Sequence, residues 1–256
     1  MPELPEVEMF KRYGEKHFLN RKIQKIEIDD QRIVTVAPEA FKNLYGEAIT
    51  SLGRRGKYVY GSTTKEDLFL TLHFGMTGYL KSYREPEERP KGTRVSFEFD
   101  DGFMAWVNPR KFGRVGLTDG IESFFAEKNF GEDALSISKE DFVEIFQHAK
   151  GPVKSRLMDQ KNVAGIGNIY ADEILFQCGI HPESDTKKLS VKALGEIHTA
   201  MQRIFGVAIR HEADYSTYPK QYLLYNRTEQ RQDPPLSRIK VGGRTTFFDP
   251  KKQKKK

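Results

Sequence analysis

The chain has 256 residues, of which 38% are hydrophobic, and this is enough for one large domain or two of ordinary size. No apolar run is long enough to cross a membrane, no signal-peptide pattern is present, and the one cysteine, Cys178, excludes an internal disulfide and a cysteine-rich zinc site. The net charge of +6 is weak evidence for a nucleic-acid partner, because five of these charges come from Lys251, Lys252, Lys254, Lys255 and Lys256.

The N-terminal half is predicted to be one helix followed by a β domain. A helix is expected to about Leu19, since Pro5 and Glu6 suit the first turn of a helix. Residues 22–117 then repeat Val, Ile, Phe and Tyr with a period of two, and Asp101-Gly102 has the pattern of a hairpin turn. We therefore predict a β-sandwich domain with a leading helix over residues 1–120.

The C-terminal half is predicted to be mainly helical. Residues 121–137 have only a weak period and are expected to form a hinge linker. Ser138 and Ser190 are each placed to cap an amphipathic helix, which predicts a helical domain over residues 138–220. Residues 221–256 become β-like and then lysine-rich. The fold class expected from this order is α+β.

The first three residues carry a pattern with reactive chemistry. Proline after Met1 allows removal of that methionine, which leaves Pro2 as an N-terminal secondary amine. An α-amino group has a pKa near 8, so roughly a tenth of it is a neutral nucleophile at pH 7. Attack of a secondary amine on a sugar carbon gives a Schiff base that has no N–H proton to lose and acts as an electron sink, while Glu3 can move protons. The same residues also suit a helix start, so this pattern alone leaves both interpretations open.

A second pattern lies at residues 165–170, where Gly165-Ile166-Gly167 precedes Asn168-Ile169-Tyr170. Glycines allow the backbone to come close to a ligand, and the N-terminus of the predicted helix offers free N–H groups to an anion. A tight turn explains this pattern equally well. Clusters of Lys and Arg near residues 54–57, 110–114 and 150–161 favour phosphate contacts.

Taken together, these motifs resemble the formamidopyrimidine-DNA glycosylase and endonuclease VIII family. The N-terminal MPELPEVE is similar to the family's proline nucleophile segment, and residues 157–182 resemble its helix–two-turn–helix. Three other features look like its lysine loop (52–58), its two void-filling loops (73–78 and 108–114) and the end of its C-terminal hairpin finger (241–247). The motifs follow the family's order over nearly the whole chain.

The resemblance implies a bifunctional DNA glycosylase and AP lyase of base excision repair, which cuts DNA by β- and δ-elimination. The residues implied to be catalytic are Pro2, Glu3, Lys57 and Glu6. The residues implied to fill the void left by a flipped base are Met76, Arg110 and Phe112. The residues implied to bind phosphates are Lys154, Asn168 and Arg244. Met76 and Phe112 could instead be core residues, but the glycines beside them favour loops.

The implied partner is double-stranded DNA that contains oxidised bases or abasic sites. We expect a monomer without a cofactor or a membrane, in the cytoplasm and at the nucleoid of a prokaryote, or in the nucleus of a eukaryote. Many family members hold the finger with four cysteines around zinc, whereas residues 221–256 contain no cysteine and no histidine. We therefore predict a zincless finger, in which packing replaces the metal. The residues expected to supply this packing are Tyr222, Leu223, Leu224, Ile239, Val241, Phe247 and Phe248.

Two features give conflicting indications of the lesion. Leu4 resembles the purine-type branch, whereas residues 210–221 look different from, and shorter than, the loop that covers an oxidised guanine in that branch. We favour oxidised purines such as formamidopyrimidines, with oxidised pyrimidines as the alternative.

Two rival functions are a non-catalytic damage-binding protein on the same fold and a metal-dependent nuclease. Retention of Pro2, Glu3 and Lys57 argues against the first, and we find no ligand cluster in the sequence for the second. The sequence leaves the role of the lysine tail open, and one hypothesis is that it steers the protein onto DNA by charge.

Overall fold

The computed structural model describes residues 1–228 and 236–256, with the side chains of 226–228 left out. The described chain divides into two compact units. The first unit contains Met1–Pro2 and Glu6–Lys128, and the second contains Glu3–Pro5 and Asn129–Lys256. Within these described ranges, no helix is long and apolar enough to cross a membrane.

The leading helix is confirmed as α1 (Leu4–Phe18). Its first residues, Leu4 and Pro5, belong to the second unit, and the rest of the helix belongs to the first. Leu4 packs in the core of the second unit, whereas Val7 and Phe18 pack in the core of the first. The helix therefore carries apolar residues for both cores within its 15 residues.

The first unit is the predicted β-sandwich. Its strands are β1 (Lys25–Ile28), β2 (Ile49–Arg55), β3 (Tyr58–Thr63), β4 (Phe69–His73), β5 (Tyr79–Tyr83), β6 (Thr93–Phe99), β7 (Gly102–Val107) and β8 (Arg114–Thr118). One antiparallel sheet has the order β1-β6-β7-β5 and the other has the order β2-β3-β4-β8. Alternate side chains such as Val59, Leu72, Phe97 and Trp106 are buried between the sheets, as the period of two predicts.

The segment predicted as a linker contains a helix, α2 (Ile121–Glu127). Seven residues are too few for a clear helical period in the sequence. Phe125 is buried, and its ring lies 6.0 Å from that of Tyr58 and 5.8 Å from that of Tyr60. Contacts with β3, which are distant in sequence, therefore stabilise this helix.

The second unit is mainly helical. Its helices are α3 (Lys139–His148), α4 (Val153–Leu157), α5 (Asn168–Gln177), α6 (Val191–Arg210) and α7 (Leu223–Thr228). Ser138 and Ser190 cap α3 and α6 through their side chains, which confirms both predicted helix starts. Two short strands, β9 (Glu132–Asp133) and β10 (Val163–Ala164), pair in parallel.

Short 3₁₀ helices complete the described structure. They lie at Gln31–Ile33, Pro38–Leu44, Pro86–Glu88, Thr186–Lys188 and Tyr215–Thr217.

The predicted finger region ends in a hairpin of β11 (Ser237–Val241) and β12 (Arg244–Phe248). The helix α7 occupies part of the region where a β pattern is expected, and residues 229–235 lie outside the described residues. Of the predicted packing residues, Tyr222, Leu223, Leu224, Val241 and Phe248 are buried. Ile239 and Phe247 are half-buried.

Candidate active site

The carboxylate of Glu3 is fully buried in the second unit at the N-terminus of α5. The backbone N–H of Gly167 donates to Glu3 Oε2 at 2.8 Å, and that of Ile169 donates to Oε1 at 2.7 Å. Tyr170 N–H donates to Oε2 at 3.2 Å. The free amides and the dipole of a helix N-terminus favour a negative group at this position. The glycine-rich pattern at 165–170 thus binds an anion, and that anion is a side chain of the chain itself.

Gly167 allows this close approach. A Cβ atom at position 167 would lie 2.3 Å from Glu3 Cδ, which is too short for any side chain. Gly165 has a φ of +114°, and a Cβ atom at this position would likewise lie too close to the side chain of Leu4. The two glycines therefore allow residues 3 and 4 to pack directly on the backbone before α5.

Pro2 comes immediately before Glu3 and is half-buried. In the chain with Met1 attached, its nitrogen is part of an amide bond and cannot act as a nucleophile. Glu6 lies in the first turn of α1 and is also half-buried. The predicted nucleophile therefore requires removal of Met1.

Lys57 lies in the tight turn between β2 and β3, where Gly56 has a φ of +56°. The guanidinium of Arg54 donates to the carbonyl oxygen of Gly56 at 3.1 Å and pairs with Glu8 on α1 at 3.1 Å. Only 7% of the Arg54 side chain is exposed. Arg54 therefore fixes the backbone that presents Lys57, a role that the basic cluster in the sequence does not indicate.

His73 lies at the end of β4 in the same unit, with its ring 4.7 Å from that of Tyr58. Burial, together with the positive charges of Lys57, Arg114 and Lys128, lowers the pKa of His73 to about 4. These three cations therefore lie near the imidazole, which is neutral at pH 7. The sequence pattern predicts no site role for His73 or Lys128, since their proximity to Lys57 depends on strand pairing.

The two predicted void-filling loops of the first unit meet at one buried amide. Asn108 is fully buried, its Nδ2 donates to the carbonyl oxygen of Phe74 at 2.8 Å, and its Oδ1 accepts from Gly113 N–H at 3.3 Å. A Cβ atom on Gly75 would lie 2.5 Å from the backbone of Phe112. The loops at 74–78 and 108–113 are therefore in direct contact.

The structure brings the three predicted void-filling residues onto these joined loops. Phe112 is 54% exposed, Arg110 is exposed, and Met76 is half-buried. The guanidinium carbon of Arg110 lies 5.2 Å from the centre of the Phe112 ring. An aromatic side chain this exposed is not a core residue, so the core interpretation of Phe112 does not hold.

Lys154 is buried, whereas a side chain that binds a DNA phosphate needs to reach the surface. It is fully buried in the second unit, with its Nζ 2.6 Å from Asp172 Oδ1 and 2.6 Å from Thr246 Oγ1. Asp172 Oδ2 also accepts the backbone N–H of Phe247 at 3.2 Å. Lys154 thus connects α4, α5 and β12, and phosphate binding by this residue stays a prediction.

Asn168 and Arg244 lie at the same end of the second unit as this ion pair. Asn168 Nδ2 donates to the carbonyl oxygen of Thr245 at 3.0 Å, while its Oδ1 is buried and has no hydrogen-bond partner among the residues that the structure describes. Arg244 is exposed at the first position of β12, after Gly242 and Gly243, whose φ angles are +55° and +74°. Arg244 is therefore available to an external phosphate, and Asn168 contacts the strand that carries it.

Within residues 1–228 and 236–256, no group of three or more His, Cys, Asp and Glu side chains could hold a metal ion. The thiol of Cys178 is half-buried, and burial raises its pKa to about 11.

Comparison with known proteins identifies similar domains and chains. A family model described as the formamidopyrimidine-DNA glycosylase N-terminal domain matches residues 1–115, and one described as the formamidopyrimidine-DNA glycosylase H2TH domain matches residues 131–219. The formamidopyrimidine-DNA glycosylase of Streptococcus pneumoniae strain R6 is 34% identical over 278 residues, which covers 100% of both chains.

Two solved structures have the same fold. A complex between Lactococcus lactis Fpg and DNA containing an abasic site has a TM-score of 0.87 at 30% identity. A complex between an L. lactis Fpg mutant and DNA containing Fapy-dG has a TM-score of 0.88 at 31% identity. Each alignment covers 99% of this chain and 100% of the other.

Proposed function

The chain belongs to the formamidopyrimidine-DNA glycosylase family, and from this premise we propose how its residues act on damaged DNA. The protein is a DNA glycosylase of base excision repair with AP lyase activity. The observation that carries the proposed chemistry is the position of Glu3, the residue after Pro2, on three backbone amides of α5. A carboxylate fixed in this way next to a secondary amine suits proton transfer during nucleophilic substitution.

In the proposed reaction, Pro2 of the trimmed chain attacks C1′ of the damaged nucleotide, and the bond from C1′ to the base breaks. The Glu3 carboxylate takes the proton from the attached Pro2 nitrogen and passes it to the ring oxygen of the sugar as the bond from C1′ to that oxygen breaks, and the three amides then hold a carboxylate again. The C1′–N bond thereby becomes an iminium, which accepts the electron pair when a proton leaves C2′. The 3′ phosphate then departs by β-elimination and the 5′ phosphate by δ-elimination, so both ends of the gap carry a phosphate.

The exposed loops of the first unit have a separate proposed role. A base that is flipped out of the duplex leaves a hole, and unstacking costs a few kcal/mol. Phe112 and Met76 fill this hole, and Arg110 donates hydrogen bonds to the orphaned base. Their position on two joined, glycine-containing loops supports this role, because the loops present an apolar and a cationic side chain together.

Phosphate contacts position the DNA for this chemistry. Lys57 binds a phosphate next to the lesion, in a part of the first unit that is already positive because of Arg114 and Lys128. Arg244 binds a phosphate from the exposed end of the hairpin. Glu6, in the first turn of α1, helps to fix the active-site geometry. Asn168 remains a candidate phosphate ligand, and Lys154 becomes one only if its buried ion pair opens.

We favour oxidised purines, formamidopyrimidines especially, as the substrate. Leu4 supports this branch of the family, and one solved relative is a complex with DNA that contains Fapy-dG. A panel of duplexes with one formamidopyrimidine, one 8-oxoguanine or one oxidised pyrimidine tests the choice. Faster release of the oxidised pyrimidine under single-turnover conditions would contradict it.

Borohydride trapping on a duplex with one abasic site tests the proposed nucleophile. The reductant converts the iminium to a stable amine, so the trimmed protein should become covalently linked to DNA. Pro2→Gly and a form that retains Met1 should give much less of this product, because they replace or block the secondary amine.

The matched control is Lys11→Gln, which changes a charge on the same helix at a position with no proposed role in the chemistry. It should be trapped as efficiently as the unmodified protein. Tight binding to the abasic duplex without any covalent product would contradict the lyase mechanism and would favour the damage-binding alternative.

A further inference from the structure

The hairpin of β11 and β12 needs support from outside itself. Two-stranded hairpins are marginally stable in water, and small elements usually need a disulfide, a metal or packing to hold them. Residues 221–256 contain no cysteine and no histidine. On its inner side the hairpin is held by the contacts of Thr245, Thr246 and Phe247 with α4 and α5.

The residues that follow β12 form a compact turn, which we call the clasp (Asp249–Lys256). Asp249 Oδ1 accepts the backbone N–H groups of Lys251 at 2.8 Å and Lys252 at 3.4 Å. The side chain of Gln253 reaches back, and its Oε1 accepts Asp249 N–H at 2.8 Å. Asp249 is only 7% exposed and Gln253 only 2%. Two buried polar side chains therefore close the clasp. Asp249 accepts backbone N–H groups that follow it in the chain, and Gln253 accepts the backbone N–H group of Asp249.

The clasp is also bound to the segment that follows α5. Gln253 Nε2 donates to the carbonyl oxygen of Ile180 at 2.8 Å. Lys254 N–H donates to Gly179 O at 3.0 Å, and His181 N–H donates to Lys254 O at 3.0 Å, which forms a parallel β-bridge. The strand β12 is thus held at its start by α5 and at its end by the segment after α5.

Lys252 Nζ lies 3.8 Å from the centre of the Phe176 ring, whereas the other lysine side chains of the clasp take little part in this arrangement. Lys251, Lys254 and Lys256 are exposed, and their contacts with the fold are made mainly by their backbone. Lys255 pairs with Glu183 at 3.0 Å, but its side chain is 62% exposed. The basic composition of the tail and its docking are therefore separate properties that can be changed separately.

We propose that Asp249 and Gln253 are positioning residues, which take the place of a metal by holding β12 so that Arg244 meets a DNA phosphate. The tail acts through the fold of its backbone, and its positive charge is secondary. This inference rests on the proposed function, because it depends on a phosphate contact of Arg244. It is an alternative to the hypothesis that the tail steers the protein onto DNA by charge.

The first test measures the dissociation constant for a duplex that contains a tetrahydrofuran abasic-site analogue. Gln253→Ala removes both side-chain hydrogen bonds of that residue and should raise Kd about tenfold, the size expected when one charge-assisted contact is lost. The same change should have little effect in an Arg244→Ala background, because residues that act through one contact are not additive. A merely structural role does not produce this coupling.

A second pair of variants covers the case in which Gln253→Ala folds poorly. Asp249→Ala should behave like Gln253→Ala, because the two backbone N–H groups lose their acceptor. Asp249→Asn should keep most of the affinity, since its amide oxygen can accept the same bonds. Circular dichroism and thermal unfolding of each variant show that the measured proteins are folded at the assay temperature.

The matched control removes charge and leaves the clasp intact. A triple change, Lys251→Gln, Lys254→Gln and Lys256→Gln, should alter Kd at most about twofold at physiological salt, where surface charges are screened. If this variant instead reproduces the loss seen with Gln253→Ala, the tail acts by charge and the proposal is wrong. An unchanged Kd for folded Gln253→Ala, or an equal loss in the Arg244→Ala background, would also overturn it.

The proposed function is tested separately in the same experiments. Covalent trapping by the unmodified protein establishes the lyase whether or not the clasp matters. If the unmodified protein neither binds nor becomes trapped, the proposed function fails, and this inference fails with it. If it is trapped and the clasp variants bind normally, only the inference fails.

Discussion

In the first unit the predicted void-filling residues lie on loops, whereas in the second unit a group of buried charges surrounds α5. Phe112 is more than half exposed, and a neutral buried amide, Asn108, supports its loop. Lys154, Asp172 and Glu3, in contrast, have no exposed surface. The first arrangement leaves side chains exposed to a partner, and the second fixes the backbone around α5. Changes in these loops should therefore reduce function, and changes in the buried charges should reduce stability first.

The largest expected effect on stability comes from breaking the buried ion pair of Lys154 and Asp172. Lys154→Met leaves Asp172 as an uncompensated buried charge and should lower the free energy of unfolding by about 3–5 kcal/mol. Urea denaturation measures this loss. The double variant Lys154→Met with Asp172→Asn should recover part of it, because no buried charge then remains.

The exposed pair of Lys255 and Glu183 provides the control for this prediction. Both side chains are largely solvent-accessible, at 62% and 40%. Lys255→Ala should therefore change stability by less than about 1 kcal/mol. Equal losses for Lys154→Met and Lys255→Ala would remove the distinction between the buried network and the surface.

An intermediate effect on stability is expected from the ionisation of Glu173. Its side chain accepts the backbone N–H of Leu224, at the start of α7, at 2.8 Å. Burial raises the pKa of Glu173 to about 7, although hydrogen bonds from Gln177 and from the backbone oppose this. The folded protein thus holds this proton more tightly than the unfolded chain. The resulting stability is fully present below pH 4.5 and is lost as the pH rises to about 7, by up to about 3 kcal/mol.

Glu173→Gln should remove this part of the pH dependence, because an amide keeps the shape of the carboxyl group but does not titrate. The free energy of unfolding, measured between pH 4.5 and 8 for both proteins, gives their difference at each pH. We expect the free energy of unfolding of the variant to increase relative to that of the unmodified protein as the pH rises. An equal slope for the two proteins would count against a raised pKa, and Glu144→Gln, on the exposed side of α3, shows the effect of losing a surface charge.

The smallest effect on stability is expected from Phe112→Ala. Because the side chain is 54% exposed, the free energy of unfolding should change by no more than about 0.5 kcal/mol. Excision of a damaged base from a duplex should nevertheless slow by about tenfold, since unfilled space raises the cost of flipping. Single-turnover kinetics measure this rate. Cleavage at an existing abasic site should slow less, because no base needs to leave the stack.

Tyr45→Ala is the matched control for Phe112→Ala, since Tyr45 is also an exposed aromatic residue of the first unit, at 40%. It should change neither stability nor excision strongly. A similar loss of excision in both variants would show that exposure of an aromatic residue, and not its position on the joined loops, explains the result.

Local signals in the sequence predict much of this fold. The caps Ser138 and Ser190, the alternation in the sandwich and the hairpin turn at Asp101-Gly102 depend on residues close together in the chain. Helix α2 was not predictable in this way, because aromatic contacts with β3 stabilise its seven residues.

The candidate site is predictable to a similar degree. The motifs place Met76, Arg110 and Phe112 on loops, and the structure brings these loops together. The burial of Lys154 depends on Asp172 and Thr246, which are 18 and 92 residues away in the chain, so its basic cluster does not predict this burial. The docking of the tail likewise depends on Ile180, which precedes Gln253 by 73 residues.

The attachment of Glu3 to α5 has a consequence for the order in which the protein is made. The amides that hold this carboxylate belong to Gly167, Ile169 and Tyr170, which follow Glu3 by 164, 166 and 167 positions. At a synthesis rate of about 5–20 residues per second, the partners of Glu3 are translated roughly ten to thirty seconds after it. Bringing together groups so distant in sequence is also slow in folding, because a long loop must close first. An unfinished chain therefore carries the proline without an oriented carboxylate beside it, and the chemistry becomes available only when most of the protein has been translated.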